Sequence, residues 1–186
     1  YLRDLPAKLQ VACMNFGLAS ERRPATLRLA VNEVRAIVSE RYAPIDDALL
    51  LELVDDTLRA LGRRHDALVR SVATGPHTLV RITLPSEGIA VKRGDVIEHG
   101  LDIGNSELGI RSVQVTPVTW RLACENGLRS WSSSATTRLR HIGDPARLRE
   151  ALRDAIPLAF AEARGDLDRW RRAVNVTVDD ALAEIE

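Results

Sequence analysis

The stretch Thr78-Leu79-Val80-Arg81-Ile82-Thr83-Leu84 decides the fold class, because it alternates with a period of two. Val80, Ile82 and Leu84 fall on one side of an extended chain, and Leu79, Arg81 and Thr83 on the other. Upstream, Leu68-Val69-Arg70-Ser71-Val72 is a partner strand across a Gly75-Pro76 turn. Downstream, residues 96–103 and 110–115 are two more candidate strands. Residues 118–124 read as a strand or a short helix, ended by Asn126-Gly127. Short strands joined by turns predict a β-rich middle over residues 66–141.

Helices are expected on either side of it in sequence. Leu5, Leu9, Ala12 and Phe16 sit at helical spacing, with Gly17 as a stop. Residues 26–39 fit two patterns. Leu27, Val31, Val34 and Val38 suit a helix, whereas Leu27, Leu29 and Val31, a break at Asn32-Glu33, then Val34, Ala36 and Val38 suit a β-hairpin. The β-branched content favours the hairpin. A helix capped by Asp46 or Asp47 follows, lined by Leu50, Leu53, Val54, Thr57 and Leu58 and ending before Gly62. After the middle, Asp144 caps a helix with Pro145 in its first turn and a stripe of Leu148, Leu152 and Ile156. Pro157 is expected to kink or break it, with Phe160 and Ala163 continuing to Gly165. Trp170 and Val174 lie on a second segment, and Thr177 and Asp180 suggest the cap of a last helix. The prediction is a single α+β domain over residues 1–186, built as helix, hairpin and helix (1–62), an antiparallel sheet (66–141) and a helical tail (144–186).

Composition narrows the function classes. With 45% apolar and 28% charged residues the chain is globular rather than disordered. No apolar run approaches the ~20 residues that span a bilayer, and Tyr1-Leu2-Arg3-Asp4 is no signal peptide, so a cytoplasmic protein away from membranes is expected. A start at Tyr1 rather than Met fits a piece of a longer chain. Cys13 and Cys124 stand far apart without Cys-x-x-Cys spacing, which suits small apolar residues rather than a disulfide or a zinc site. Net charge is zero but uneven: residues 1–60 carry −1, residues 61–141 carry +4 and residues 142–186 carry −3. A basic middle is a modest footprint for a polyanion.

Three strings carry a resemblance to a known family. The first is Ser39-Glu40-Arg41-Tyr42-Ala43-Pro44-Ile45-Asp46. The second is Gly100-Leu101-Asp102-Ile103-Gly104-Asn105-Ser106-Glu107-Leu108-Gly109, and the third is Trp120-Arg121-Leu122-Ala123-Cys124-Glu125-Asn126-Gly127-Leu128. In this order they resemble the phage- and plasmid-borne family catalogued as domain of unknown function nine-three-two. The resemblance implies a mobile-element origin without a settled activity. In outline, a hairpin, a helix, a basic antiparallel sheet and a C-terminal helix are also similar to the Rad-fifty-two-type single-strand annealing proteins.

Binders of single strands combine cations that follow the phosphates with aromatic platforms for the bases. The candidate cations are Arg70, Arg81, Lys92, Arg93, Arg111, Arg121, Arg129, Arg138 and Arg140, with Trp120 and Trp131 as stacking candidates. Arg138 and Arg140 alternate and so present two guanidinium groups on one strand face. Aromatics at only 4% leave no long stacking surface, so binding is expected to be electrostatic and salt-sensitive. In the family turn, Asn105 and Ser106 bond local amides while glycines supply positive φ; alternatively Asn105, Ser106 and Glu107, with Asn126 of the next string, reach DNA or a neighbouring subunit.

Catalytic patterns are weak. His65, His77, His99 and His141 are scattered. Asp95, Glu98 and Asp102 read as the polar edge of an antiparallel strand, with Glu98 and Asp102 on one face and His99 on the other. Lys92-Arg93-Gly94-Asp95 reads as a turn, not a phosphate loop. The expectation is therefore a non-enzymatic binder or annealer of single-stranded DNA in a phage or plasmid recombination setting. It needs no cofactor, metal or small-molecule substrate, and works as a homo-oligomer or equally as a monomer. The alternative is a protein-interaction module such as an element-encoded inhibitor of a host factor, with a hydrolase third.

Overall fold

The computed structural model describes residues 4–20, 25–30, 33–73, 77–121, 128–131 and 135–176. Helix α1 (Ala7–Ser20) is followed by the hairpin strands β1 (Ala25–Ala30) and β2 (Glu33–Ser39), then helix α2 (Asp47–Ala60). Strands β3 (Leu68–Ala73), β4 (Thr78–Thr83), β5 (Ile89–Lys92), β6 (Asp95–Asn105), β7 (Val113–Arg121), β8 (Leu128–Trp131) and β9 (Thr137–Leu139) form the sheet, and helix α3 (Pro145–Ala173) closes the order. The fold is α+β with a central antiparallel sheet, as its alternation predicted.

The sheet runs β3-β4-β6-β7-β8, every pairing antiparallel. Strand β6 is its spine: β4 and β5 occupy successive stretches of one edge, and β7 the other. On the far side of β7, β9 pairs Val113–Val115 and β8 pairs Val118–Arg121. One continuous strand therefore replaces the two segments expected over 110–124. Pro117 sits in the break between β9 and β8, the kind of position where a strand tolerates a residue without an N–H. Asp95, Glu98 and Asp102 consequently lie on a central strand, not on an edge.

Register settles which side chains share a face. Ile82 pairs Leu101, Val80 pairs Ile103, and Ile103 pairs Val115. These join Leu50, Leu53, Val54 and Leu58 of α2 and Leu148, Leu152, Ile156 and Phe160 of α3 in one buried core. The α2 face is the one its periodicity predicts. Each such side chain contributes roughly 1.5–3 kcal/mol on burial. That packing explains why α3 runs unbroken through Pro157 and Gly165, against expectation. Ala159, Phe160, Ala163 and Leu167 are buried beyond the proline, and their packing outweighs its cost of about 3 kcal/mol. The cap is as expected: the Asp144 carboxylate accepts from the Ala146 N–H at 2.9 Å.

The β1–β2 hairpin forms its own two-stranded sheet, which decides the ambiguity at 26–39. Helix α1 runs past Gly17 to Ser20, and its expected apolar face is exposed, with Phe16 86% accessible. Cys13 is also exposed rather than packed as a small apolar residue. The turns at Gly75-Pro76 and at residues 31–32, Cys124, Asn126 and the last helix expected from Thr177 lie outside the described residues. Among the described residues no helix is long and apolar enough to cross a membrane, and no His/Cys/Asp/Glu group is disposed to hold a metal ion.

Candidate nucleic-acid interface

The strings at 39–46 and 100–109 meet in space, and their contacts are structural. Asn105 and Ser106 are fully buried. The Asn105 amide nitrogen donates to the Ile45 carbonyl (2.9 Å) and to Asp47 Oδ1 (2.7 Å), and the Thr78 hydroxyl donates to the other Asp47 oxygen. The cap expected from the Asp46 side chain is absent; instead Glu107 Oε1 accepts from the Asp47 N–H at 2.8 Å, across 60 residues of chain. A carboxylate at a helix N-terminus satisfies a donor and meets the positive end of the dipole. Asn105 and Glu107 thus clamp the start of α2 to the end of β6, while the buried Ser106 hydroxyl accepts from the Leu108 N–H (3.3 Å) inside the turn, and none of the three projects from it as the alternative reading expected.

Tyr42 ties the hairpin to this clamp. Its hydroxyl donates to the Ser106 carbonyl at 3.2 Å, its ring stacks on His141 (5.1 Å between centroids, 16° between planes), and the Arg28 guanidinium lies 5.6 Å from the ring centre. Burial pushes the Tyr42 phenol up and Arg28 opposes it, so the hydroxyl keeps its proton to donate. His141 Nδ1 lies 3.2 Å from the Ala43 carbonyl, while Nε2 is buried without a partner among the described residues. Burial accordingly holds this imidazole below its ordinary value. Gly109 closes the turn at φ +73°, where a Cβ would stand 3.2 Å from both Tyr42 and Val38.

Above this clamp lies an open groove of about 840 Å³ between β2, the loop 106–112 and the segment 138–142. Ile37, Leu108, Ile110 and Ile142 make its apolar surface, with Tyr42 and His141 at its base. Arg111, Arg138 and Arg140 make its charge. All three arginines are exposed, and among the described residues none is in an ion pair and no carboxylate lines the groove. Arg111 and Arg138 also wall a second, smaller cavity of about 240 Å³ on the side of the sheet away from α2 and α3.

Of the nine expected cations, six fall into two sets of three, one paired in the sheet and one on the groove. Arg70 donates to both oxygens of Glu98 (2.5 and 2.6 Å) and to Thr83, whose hydroxyl also donates to Glu98. Arg81 grips Asp102 with both arms of its fork and lies 4.2 Å from the Trp120 ring centre. Arg121 does the same to Asp95, at 2.8 and 2.6 Å. These three are consumed inside the sheet, and the ring of Trp120 already carries a guanidinium. Arg93 is exposed in the β5–β6 turn, away from the groove. The side chains of Lys92, Arg129 and Trp131 lie outside the described residues, as does Asn126. Sequence reasoning missed Ile37, Ile110 and Ile142 as neighbours of the basic cluster. An isoleucine between Gly109 and Arg111 in a loop was the available signal.

His99 is the other buried imidazole, with Nε2 3.1 Å from Glu87 Oε2. Arg63 and Arg164 approach the same carboxylate, so Glu87 is a structural hub under α3. No curated protein and no solved structure is significantly similar to this chain. The family model for the domain of unknown function (DUF932) matches residues 34–185, which takes in β2 through α3 and both strings that build the clamp; the chain belongs to this family.

Proposed function

We propose that this domain binds single-stranded nucleic acid along the Arg111–Arg138–Arg140 groove, without turnover. The observation that carries the reading is the convergence of three exposed arginines, in no ion pair among the described residues, on a groove whose lining holds apolar walls and no carboxylate. Guanidinium groups spaced along a strand end and a loop suit successive phosphates, and apolar walls suit the faces of unstacked bases. A DNA strand in a phage or plasmid recombination setting, held by an assembly of copies, is the fuller form of this proposal. The test is anisotropy of labelled single-stranded and duplex oligonucleotides across a salt series. Tighter binding of the single strand is expected, with log K falling against log salt at a slope of about −2 for three phosphate contacts. Arg138→Ala combined with Arg140→Ala abolishes it, and sedimentation of the same samples reports whether copies assemble on the strand. Absence of binding at low salt by the folded protein sinks the reading.

One observation favours a second reading, a protein-interaction module. Ile37, Ile110 and Ile142 on the same groove are 50%, 67% and 56% exposed, and apolar exposure of this kind also suits a protein partner. Loss of that partner on Ile110→Asp, with nucleic acid ignored throughout, would select it.

A further inference from the structure

The cavity of about 240 Å³ shares Arg111 and Arg138 with the groove but opens onto the opposite chemistry. Leu79 and Val118 offer apolar surface, Gln114 and Thr116 offer polar groups, and Asp102 offers a carboxylate. Gln114 has no hydrogen-bond partner among the described side chains, so its amide presents a donor and an acceptor together. Asp102 is held in both carboxylate oxygens by Arg81, which is 2% exposed and lies against Trp120. The pairing neutralises the carboxylate's charge, so it does not repel a phosphate-bearing ligand, and it leaves lone pairs able to accept again. Gly104 opens the floor: a Cβ there meets nothing closer than 3.9 Å. Glycine inside a central strand, facing a cavity, marks a place where something else approaches the backbone.

Size selects the occupant. The cavity falls below the ~300–1,000 Å³ of sites that bury drug-sized ligands, which leaves room for one ring system. The two arginines on its wall place an anion next to that ring. We infer that this cavity receives one nucleobase carrying an exocyclic amine, with Asp102 accepting from the amine, Gln114 pairing beside it, and Arg111 and Arg138 holding the attached phosphate. The inference rests on the single-strand reading of the groove when the base is presented by a strand. A free nucleoside monophosphate offers the same chemistry.

The experiment uses the full chain and has two arms. In the first, binding of 12-mer dC and dT oligonucleotides is compared, because these pyrimidines differ in the amine at the edge Asp102 faces. About tenfold preference for dC is expected, the value of one good paired contact to a base edge. Gly104→Val, which fills the floor, and Gln114→Ala, which removes the reading amide, each reduce the preference to nearly one while salt-dependent binding persists. In the second arm, amide spectra of the protein are titrated with dCMP and dTMP, and dCMP shifts the Gly104 and Gln114 resonances more than dTMP does.

Equal dC and dT binding unaffected by either variant, with no dCMP shift, overturns the pocket and leaves the groove reading standing. Failure of every oligonucleotide, with dCMP still shifting those resonances, removes the groove reading and keeps the pocket as a free-nucleotide site. Discrimination between oligonucleotides without any dCMP shift assigns the base to a strand.

Discussion

Two sets of three arginines come from the same basic third of the chain and meet opposite fates. Arg70, Arg81 and Arg121 lie in or against strands of the sheet, each beside a carboxylate: buried Glu98 and Asp95, and half-buried Asp102. Arg111, Arg138 and Arg140 lie on a loop and a strand end, in no ion pair among the described residues; Asp102, which shares the small cavity with two of them, is already held by Arg81. The first set is spent on the fold, and the second is available to a ligand. Arginine content alone therefore says little about binding; what matters is whether an acidic partner is brought within reach.

The sharpest way to break the comparison is to remove one member of each set. Arg81→Met leaves half-buried Asp102 without its counter-charge, and unfolding by urea should show a loss of about 1–3 kcal/mol, the scale of a charged hydrogen-bond partner removed from a partly buried carboxylate. Arg138→Ala should change stability by no more than about 0.5 kcal/mol, as for an ordinary surface site, while weakening nucleic-acid binding. A stable Arg81→Met protein, or an unfolded Arg138→Ala one, would reverse the assignment.

A smaller effect tests whether the clamp beneath the groove is structural. Gly109→Ala puts a side chain into the left-handed region, at about 1–2 kcal/mol, and also crowds Tyr42 and Val38 at 3.2 Å. Denaturation should report at least that loss, and the groove's affinity should fall with it because loop 106–112 carries Arg111. Glu107→Ala should cost about 1 kcal/mol by uncapping α2, with oligonucleotide affinity unchanged. A change in affinity without a change in stability would restore Glu107 to the interface.

The gentlest effect is on pH. Burial holds His99 and His141 below their ordinary value of 6.5. In the unfolded chain they take up protons as the pH falls through about 6.5, whereas in the fold they do so only at lower pH. The unfolded state then binds more protons, so stability declines on acidification below about 6.5 and levels off once the folded groups titrate. Denaturant midpoints at pH 7.5 and 5.5 should show this, and His141→Asn should shallow the decline.

Much of the fold was legible because it rests on local periodicity. The alternation at 78–84, the stripe of Leu50, Leu53, Val54 and Leu58, and the Asp144-Pro145 start each report a face that must be buried. What misled were local breakers and short elements. Gly17, Pro157 and Gly165 predict stops that packing or continuation overrode, and β5 and β8 are four residues each, too short to declare a period. Less of the candidate site was legible. Arg138 and Arg140 stood out by alternation and Arg111 by charge, but Ile37 and Ile142, far from Ile110 in sequence, did not.

Sequence by itself determined the α+β class, the antiparallel middle, the hairpin at 26–39 as the favoured of two patterns, and an excess of positive charge in residues 61–141. Tertiary structure decided which of those charges is neutralised. Whether an arginine faces a carboxylate depends on strand register and on which loop folds against which strand, and both are set by the packing of the whole core around β6 rather than by any residue's neighbours in the chain.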